Sequence, residues 1–236
     1  MPKKMIVTCL IFLVLGLAFH FGLRGCAQSE PKETSEQIQL PQPKQESEMS
    51  LEEAIMQRRS IRSYQDKPLK LETVSQLLWA ANGKTGNKDH QRAAPSAGGL
   101  HPLDFYIVAG EGSVQGLEAG VWHYEPLKHS LSLVTRGDKR EALMQVSLGQ
   151  RQVGSAEIDL IVTIEFSRTT KKYGQRGRRY AYMDCGFACE NIFLQVQTLG
   201  LAMCPIGAFN DAKVSEVLAL PETHEPALLL SIGYPK

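Results

Sequence analysis

The sequence predicts an α+β fold, a sandwich in which helices pack against a sheet. Several segments repeat apolar residues at helical spacing, and others are short runs of apolar and β-branched residues typical of strands. The two kinds are mixed along the chain without strict alternation, which argues against a doubly wound sheet. Of the 236 residues, 43% are hydrophobic and 22% are charged, an ordinary balance for a chain with one sizeable core.

The N-terminal residues 1–26 are interpreted as a signal segment or membrane anchor. Lys3 and Lys4 precede an apolar run over residues 5–23, as in secretory signals and signal anchors. The lysines favour an N-inside orientation. The sequence therefore predicts an extracytoplasmic protein of a bacterial cell envelope, either exported or anchored to the membrane.

The residues around Cys26 leave open whether this segment is cleaved and whether Cys26 carries lipid. Leu23-Arg24-Gly25-Cys26 resembles a bacterial lipoprotein cleavage box, in which Cys26 would carry lipid. Arg24 departs from the small or apolar residue usual at that position. A lipidated cysteine, an uncleaved anchor and a buried N-terminal helix remain alternatives.

Residues 27–48 are predicted to be a disordered linker. They are mainly Gln, Glu, Pro, Ser and Lys, with only Ile38 and Leu40 as large apolar residues. Such a segment cannot bury enough apolar surface to order itself. The globular body is therefore placed at residues 49–236, and it contains no internal repeat and no second linker, which indicates one domain.

The first elements of the body have clear local signals. Ser50 and Glu53 form an S-x-x-E capping box before a short helix, in which Leu51, Ala54 and Ile55 share one face. The later predictions, in chain order, are a helix at 71–81 ended by Gly83, a strand at 105–109, a hairpin of 121–124 with 131–134, a helix at 138–148, a strand at 158–166 buried on both faces, a long central buried helix at 180–199, a helix at 212–220 capped by Asp211, and a strand at 227–232.

A compact anion receptor follows the first helix. Arg58, Arg59, Ser60 and Arg62 fall within five positions. Guanidinium forks and a serine hydroxyl match the oxygens of a phosphate. A solvated basic patch is the alternative. Since the net charge of the chain is only +1, no global field attracts nucleic acid, and an anion site must be local.

Four segments in order resemble the nitroreductase family of FMN-dependent oxidoreductases, and more narrowly its azoline dehydrogenase branch from peptide-modifying pathways. The resemblance covers essentially all of residues 49–236. It implies a central mixed sheet flanked by helices in a swapped homodimer. The four segments are Arg58-Arg59-Ser60-Ile61-Arg62, Pro95-Ser96-Ala97-Gly98-Gly99-Leu100-His101-Pro102, Lys172-Tyr173-Gly174-Gln175-Arg176-Gly177-Arg178-Arg179-Tyr180 and Gly200-Leu201-Ala202-Met203-Cys204-Pro205-Ile206-Gly207-Ala208-Phe209.

The resemblance also implies cofactor-binding roles. The arginine segment would hold the FMN phosphate and part of the flavin edge, and the Pro-Ser-Ala-Gly turn would lie against the flavin of the partner subunit. The late proline segment would pack beside the reactive side of the ring, with the Gly207 N–H facing the nitrogen that accepts hydride. The cofactor-binding residues implied are Arg58, Arg59, Ser60, Arg62, Pro95, Ser96, Ala97, Gly98, Gln150, Pro205, Ile206, Gly207 and Ala208.

The implied chemistry needs no catalytic triad, because the flavin carries the electrons and the protein supplies binding and orientation. We therefore assign no catalytic acid or base. Lys172 and Tyr173 are candidates for the substrate side, with a solvated loop as the alternative for Lys172. His101 is interpreted as structural. The five cysteines include no C-x-x-C pair, and we predict no metal site.

The leading hypothesis is an FMN-dependent oxidoreductase that acts on a nitroaromatic, a quinone or an azoline, with NAD(P)H as a candidate electron donor. The alternative is a membrane-tethered flavin or ligand-binding protein without turnover. A third reading is a cysteine hydrolase that uses Cys185 or Cys204 with His101 or His123. No local sequence signature supports this third reading.

Overall fold

A seven-stranded antiparallel sheet is the centre of the computed structural model, which describes residues 36–236. The predictions for residues 1–35 lie outside the described residues. The strands are β1 (Gln37–Gln39), β2 (Leu69–Lys70), β3 (Leu103–Ala109), β4 (Val114–Gln115), β5 (Gly120–Glu125), β6 (Ser130–Arg136), β7 (Ile158–Ile164), β8 (Ala202–Ile206) and β9 (Glu225–Gly233). The order in the sheet is β1-β6-β5-β3-β7-β9-β8.

The mixed sheet that the resemblance implied is not observed. All six neighbouring pairs of the central sheet are antiparallel. β7 and β8 run in the same direction, but β9 lies between them and is antiparallel to both. Within residues 36–236, parallel pairing is confined to the short β2–β4 pair and to an isolated bridge between Ser60 and Met203.

Helices cover both faces of the sheet and confirm the predicted α+β sandwich. On one face, α2 and α6 pack on β3 and β7 through residues such as Leu77, Ile192 and Val162. On the other face, Leu143, Val153 and Val214 of α3, α4 and α7 pack on the same strands. The helices are α1 (Leu51–Gln57), α2 (Leu71–Asn82), α3 (Arg140–Val146), α4 (Arg151–Ser155), α5 (Ser167–Tyr173), α6 (Arg176–Thr198) and α7 (Asp211–Leu218). Among the described residues, no helix combines the length and the apolar character that crossing a bilayer requires.

The periodic segments are confirmed, with shifted ends. All seven residues of β7 are buried, as its continuous apolar run predicted. α6 begins four residues before the predicted start. The prediction that α6 is a central buried helix holds for one face only, because Tyr182, Met183 and Phe187 are 54%, 51% and 51% exposed.

The helix caps agree with the sequence only in part. The Ser50 hydroxyl accepts a hydrogen bond from the Glu53 N–H at 3.1 Å, but the Glu53 carboxylate bonds to Gln57 instead of reaching back. The face of Leu51 and Ile55 is exposed, and only Ala54 is buried. In α7, Asn210 caps the helix in place of Asp211, since its Oδ1 accepts from the N–H of residue 213.

Residues 36–48, which we call the N-terminal strap, are ordered. The prediction of a disordered linker is therefore wrong for this part of the chain. β1 pairs with β6 at the edge of the sheet, and Leu40 is only 2% exposed. Gln76 of α2 both donates to and accepts from the backbone of Lys44. The composition of the strap did not reveal that it is ordered, because its order depends on contacts with the rest of the domain.

Candidate functional site

The arginine segment leaves α1 and runs beside the edge strand β8. The Arg58 N–H closes α1 by donating to the Ala54 carbonyl at 3.0 Å. Ser60 then pairs with Met203, and the Ile61 N–H donates to the Met203 carbonyl at 3.0 Å. This pairing brings the first predicted binding segment against the strand that carries the last one.

Tyr64 fixes the far end of this segment. Its hydroxyl lies 3.0 Å from the Ile61 carbonyl and 2.9 Å from the Ser231 carbonyl of β9, so its single proton is shared between two acceptors. Burial raises the pKa of Tyr64 far above its ordinary value, with smaller contributions from Cys204 and Asp159. The hydroxyl therefore remains a donor, and sequence reasoning had not singled it out.

Within residues 36–236, no carboxylate pairs with the three guanidinium groups of the arginine segment. Arg58 lies 4.8 Å from the centre of the Phe193 ring, and Arg59 donates to the carbonyls of Met56 and Arg58. None of the salt bridges within residues 36–236 involves Arg58, Arg59 or Arg62. Three cations without carboxylate partners, with a serine among them, fit a phosphate group.

Cys204 lies in β8 beside Arg62 and is 1% exposed. Burial raises the pKa of its thiol, and the Arg62 guanidinium opposes this only in part. The thiol is consequently neutral at ordinary pH and leaves the charge of Arg62 available to an anion. This agrees with an inert rather than a reactive cysteine.

Gln150 joins the site to the segment that ends β8. Its side-chain amide donates to the Ala208 carbonyl at 2.8 Å and to the Ser147 carbonyl at 2.9 Å. Pro205 and Ile206 end β8, where proline is tolerated because an edge strand needs no further N–H donor. Gly207 and Ala208 follow and are exposed. Gln150 and the arginine segment thus contact the same stretch of chain, at Ala208 and Met203 respectively.

The Pro-Ser-Ala-Gly turn is held by a buried carboxylate. Ser96 donates to Asp184 of α6 at 2.6 Å, and the Ala97 N–H donates to the same side chain at 3.2 Å. Asp184 is 3% exposed, and burial raises its pKa against the effect of these hydrogen bonds. Sequence reasoning missed Asp184. A lone acid on the apolar face of α6, between Ala181 and Cys185, was the available signal.

Lys172 and Tyr173 cover this turn. Gly98 has φ +65°, and a Cβ atom there would lie 2.5 Å from the Tyr173 hydroxyl and 2.9 Å from the Lys172 ammonium. The positive φ favours glycine, and a Cβ atom there would displace the ends of the Lys172 and Tyr173 side chains. The predicted turn and the predicted substrate-side residues are therefore neighbours, and Pro95 at the start of the turn is exposed.

These residues form two groups within one chain. The first contains the arginine segment, Gln150 and residues 205–208; the second contains residues 95–98, Lys172 and Tyr173. Both contact α6, the first through Phe193 and the second through Asp184. Those two positions are nine residues apart in the helix, or about 13 Å along its axis. A single chain thus presents the two groups at separate places.

Arg168 is another residue that sequence reasoning missed. Its guanidinium donates to the His101 carbonyl at 3.0 Å and pairs with Asp104 at 2.8 Å and Glu165 at 2.7 Å. Burial opposes ionisation of Asp104, but the hydrogen bond from His123 and the charge of Arg168 lower its pKa below the ordinary value. Arg168 therefore links the end of the Pro-Ser-Ala-Gly segment to the start of α5.

The histidines do not form a hydrolase site with a cysteine. The His101 ring lies 3.1 Å from the His90 carbonyl oxygen, and burial lowers its pKa. The His123 ring contacts Asp104 and Glu125. Within residues 36–236, no hydrogen bond joins either ring to a thiol, while Cys185 and Cys189 contact each other at 3.9 Å. The structural interpretation of His101 agrees with these contacts.

Comparison with known proteins gives consistent relatives. The provisionally named nitroreductase MJ1384 of Methanocaldococcus jannaschii is 36% identical over 197 residues, which cover 84% of this chain and 96% of that protein. The microcin B17-processing protein McbC of Escherichia coli is 26% identical over 169 residues, which cover 70% of this chain and 62% of McbC. The crystal structure of a provisionally named nitroreductase from Ralstonia eutropha has a TM-score of 0.74 at 30% identity and covers 86% of this chain and 91% of that one.

A family model also matches most of the body. Residues 55–234 match the model described as the Nitroreductase family. The matched range contains both residue groups of the site and all strands of the central sheet except β1. The fold, the site geometry and these matches agree with the resemblance that the four sequence segments indicated: the chain belongs to the nitroreductase family of oxidoreductases.

Proposed function

We propose that this protein is an FMN-dependent oxidoreductase that transfers hydride or electrons between a bound flavin and a small organic substrate. The observation that carries the proposal is the arginine segment beside β8. It presents three guanidinium groups that have no carboxylate partner among the described residues. A phosphate is the complement of such a cluster.

Each residue group has a role in this proposal. Arg58, Arg59, Ser60 and Arg62 bind the FMN phosphate and one flavin edge. Residues 205–208 would line a bound flavin ring, and the Gly207 N–H would stabilise the negative charge that the ring gains on reduction. Gln150 keeps this segment in place through the Ala208 carbonyl. When bound, the flavin supplies the electron-transfer chemistry.

A homodimer completes the site in this proposal. The resemblance to the family assigns each Pro95–Gly98 turn to the flavin of the partner subunit. Within one chain, this turn contacts α6 about 13 Å along the helix from the Phe193 contact of Arg58. Tyr182, Met183 and Phe187 form an exposed stripe on α6 that provides apolar side chains for such an interface. Leu51, Ile55 and Met56 of α1 are also exposed.

The substrate is proposed to be a nitroaromatic, a quinone or an azoline, and it would lie on the side of Lys172 and Tyr173. The similarity to the microcin B17-processing protein McbC favours the azoline among these. NAD(P)H is one candidate electron donor, and oxygen is a candidate acceptor, because an extracytoplasmic location argues against a free nicotinamide donor. The N-terminal sequence, which lies outside the described residues, supports an exported or membrane-anchored protein, with Cys26 as a candidate lipid site.

Purification of the full chain tests the cofactor. We expect a yellow protein with a flavin absorption spectrum, and we expect Arg62→Ala to lose most of its flavin during gel filtration. Lys128→Ala, which removes an exposed lysine from the β5–β6 turn, is the control and should retain flavin. A colourless protein after reconstitution with FMN would contradict the proposal.

A second measurement separates the enzyme from the flavin-binding alternative. The purified protein is reduced with dithionite and mixed in a stopped-flow instrument with nitroaromatic, quinone and azoline acceptors. Reoxidation by at least one acceptor within milliseconds to seconds supports turnover. Retention of reduced flavin with every acceptor would favour a flavin carrier. Alkylation of the thiols should leave reoxidation unchanged.

A further inference from the structure

The stretch from α5 into the start of α6 carries an unusual excess of positive charge. Residues 168–180 contain six lysines and arginines and no aspartate or glutamate. The whole chain has a net charge of only +1, so this excess is a local feature of one corner of the fold.

The structure divides these six cations into two kinds. Arg168 pairs with Asp104 and Glu165, and Arg178 pairs with Glu225 and stacks on Phe166. The other four are exposed, and none takes part in a salt bridge or a side-chain hydrogen bond within residues 36–236: Lys171, Lys172, Arg176 and Arg179.

These four cations lie next to the proposed substrate side. Lys172 is close enough to the turn that a Cβ atom on Gly98 would lie 2.9 Å from its ammonium. Lys171 precedes it in the last turn of α5, while Arg176 and Arg179 share the exposed side of the first turn of α6. The acids nearest in sequence are already engaged, because Glu165 binds Arg168 and Asp184 binds the turn.

We propose that this basic corner, defined by Lys171, Lys172, Arg176 and Arg179, recruits an anionic substrate or electron donor to the flavin. The inference rests on the proposed function and adds the charge class of the small molecule. A carboxylate, a sulfonate or a phosphate-bearing molecule carries the complementary charge. Clustered cations beside a site raise the local concentration of such anions, and salt screens this effect.

A matched pair of acceptors tests the proposal. The FMN-loaded full chain is reduced with dithionite and reacted with 1,4-naphthoquinone or with its 2-sulfonate, at ionic strengths from about 20 to about 300 mM. We expect the second-order rate constant for the sulfonate to fall about tenfold over this range. We expect the rate constant for the neutral quinone to change less than twofold.

Variants then assign the effect to this corner. In Arg176→Gln with Arg179→Gln, the ratio of the sulfonate rate to the quinone rate at low salt should fall about tenfold. Lys128→Gln with Lys213→Gln removes two exposed cations elsewhere and should leave the ratio unchanged.

The outcomes separate the two proposals. Equal salt dependence for both acceptors, or an unchanged ratio in the double arginine variant, overturns the inference and leaves the oxidoreductase assignment intact. A protein that binds no flavin, or whose reduced flavin is reoxidised by none of the nitroaromatic, quinone and azoline acceptors, overturns both.

Discussion

The hydroxyl of Tyr64 lies 2.9 Å from the carbonyl oxygen of Ser231, although the two residues are 167 positions apart. This hydrogen bond fixes the end of the arginine segment to the central sheet. The same hydroxyl also reaches the Ile61 carbonyl at 3.0 Å. The position of the proposed phosphate ligands therefore depends on a residue that does not contact phosphate.

Tyr64→Phe removes this bond with little change in packing. We expect the free energy of unfolding to fall by about 1 kcal/mol, the usual net value of a buried hydrogen bond. FMN should also bind more weakly, because the arginine segment loses its anchor. Urea unfolding and fluorescence titration with FMN measure the two effects.

The control for this prediction is Tyr234→Phe. Its hydroxyl has no hydrogen-bond partner among the described residues, and its ring lies under the Lys67 ammonium at 4.0 Å. The free energy of unfolding and the affinity for FMN should both stay near wild type in this variant. Equal FMN affinity in Tyr64→Phe and wild type would show that the anchor is dispensable.

Gly98→Ala should damage the substrate side more than the fold. The new Cβ would lie 2.5 Å from the Tyr173 hydroxyl, so Tyr173 and Lys172 must move. Alanine at positive φ also costs about 1–2 kcal/mol. We expect turnover to fall about tenfold or more, measured as steady-state acceptor reduction, since misplacement near a site is costly.

Gly112→Ala separates these two costs. Gly112 has φ +63° with open space around the missing Cβ, so it carries the same backbone strain without a displaced neighbour. Stability should fall similarly in both variants, and turnover should fall only in Gly98→Ala. Normal turnover in Gly98→Ala would remove Lys172 and Tyr173 from the substrate side.

Burial of Asp159 should make the protein less stable as pH rises above the ordinary pKa of an aspartate. Its side chain is fully buried in β7. One oxygen accepts a hydrogen bond from Ser231 at 2.5 Å, and the other has no hydrogen-bond partner among the described residues. Burial raises its pKa well above 3.8. The folded state therefore holds a proton that the unfolded state releases above that pH, and stability falls as pH rises from there towards the folded pKa.

Asp159→Asn should remove this contribution. The difference in urea midpoint between pH 5 and pH 8 is expected to shrink, because the amide does not titrate. Asp211→Asn, which changes an exposed carboxylate, should keep the wild-type difference. An unchanged pH dependence in Asp159→Asn would show that Asp159 is ionised in the folded protein.

Leu40→Ala tests whether the strap belongs to the fold. Leu40 is 2% exposed and packs in the larger core cluster. Truncating a buried leucine costs about 2–5 kcal/mol, which urea unfolding detects. Leu127→Ala, at a side chain that is 49% exposed, should change stability by less than about 0.5 kcal/mol. Similar small losses at both positions would mean that the strap is not docked in solution.

Local signals made much of the fold predictable. The apolar run of β7, the periodicity of α2 and the cap at Ser50 are each encoded by neighbouring residues, and all three are confirmed. The strap was missed because its order depends on residues such as Gln76 and Ser130, which are distant in sequence. Composition describes a segment alone and cannot report a partner.

Residue types indicated the segments of the candidate site, but not how these segments are arranged. The arginine segment and residues 205–208 were both identified, yet their meeting depends on the pairing of Ser60 with Met203, which no spacing encodes. Asp184 and Arg168 were missed for another reason. A single charge on a helix usually faces solvent, and only the packed structure shows that these two hold a turn.

The strap also shortens the length of chain between the domain and Cys26, the proposed site of lipid attachment. From Cys26 to Glu36 the backbone spans ten residues, at most about 35 Å, whereas a body beginning at residue 49 would allow about 80 Å. The strap leaves the body at the β1–β6 edge, where Glu36 pairs with Arg136 at 2.6 Å. With the proposed lipid at Cys26, the shorter tether would keep the domain within about 35 Å of its attachment point.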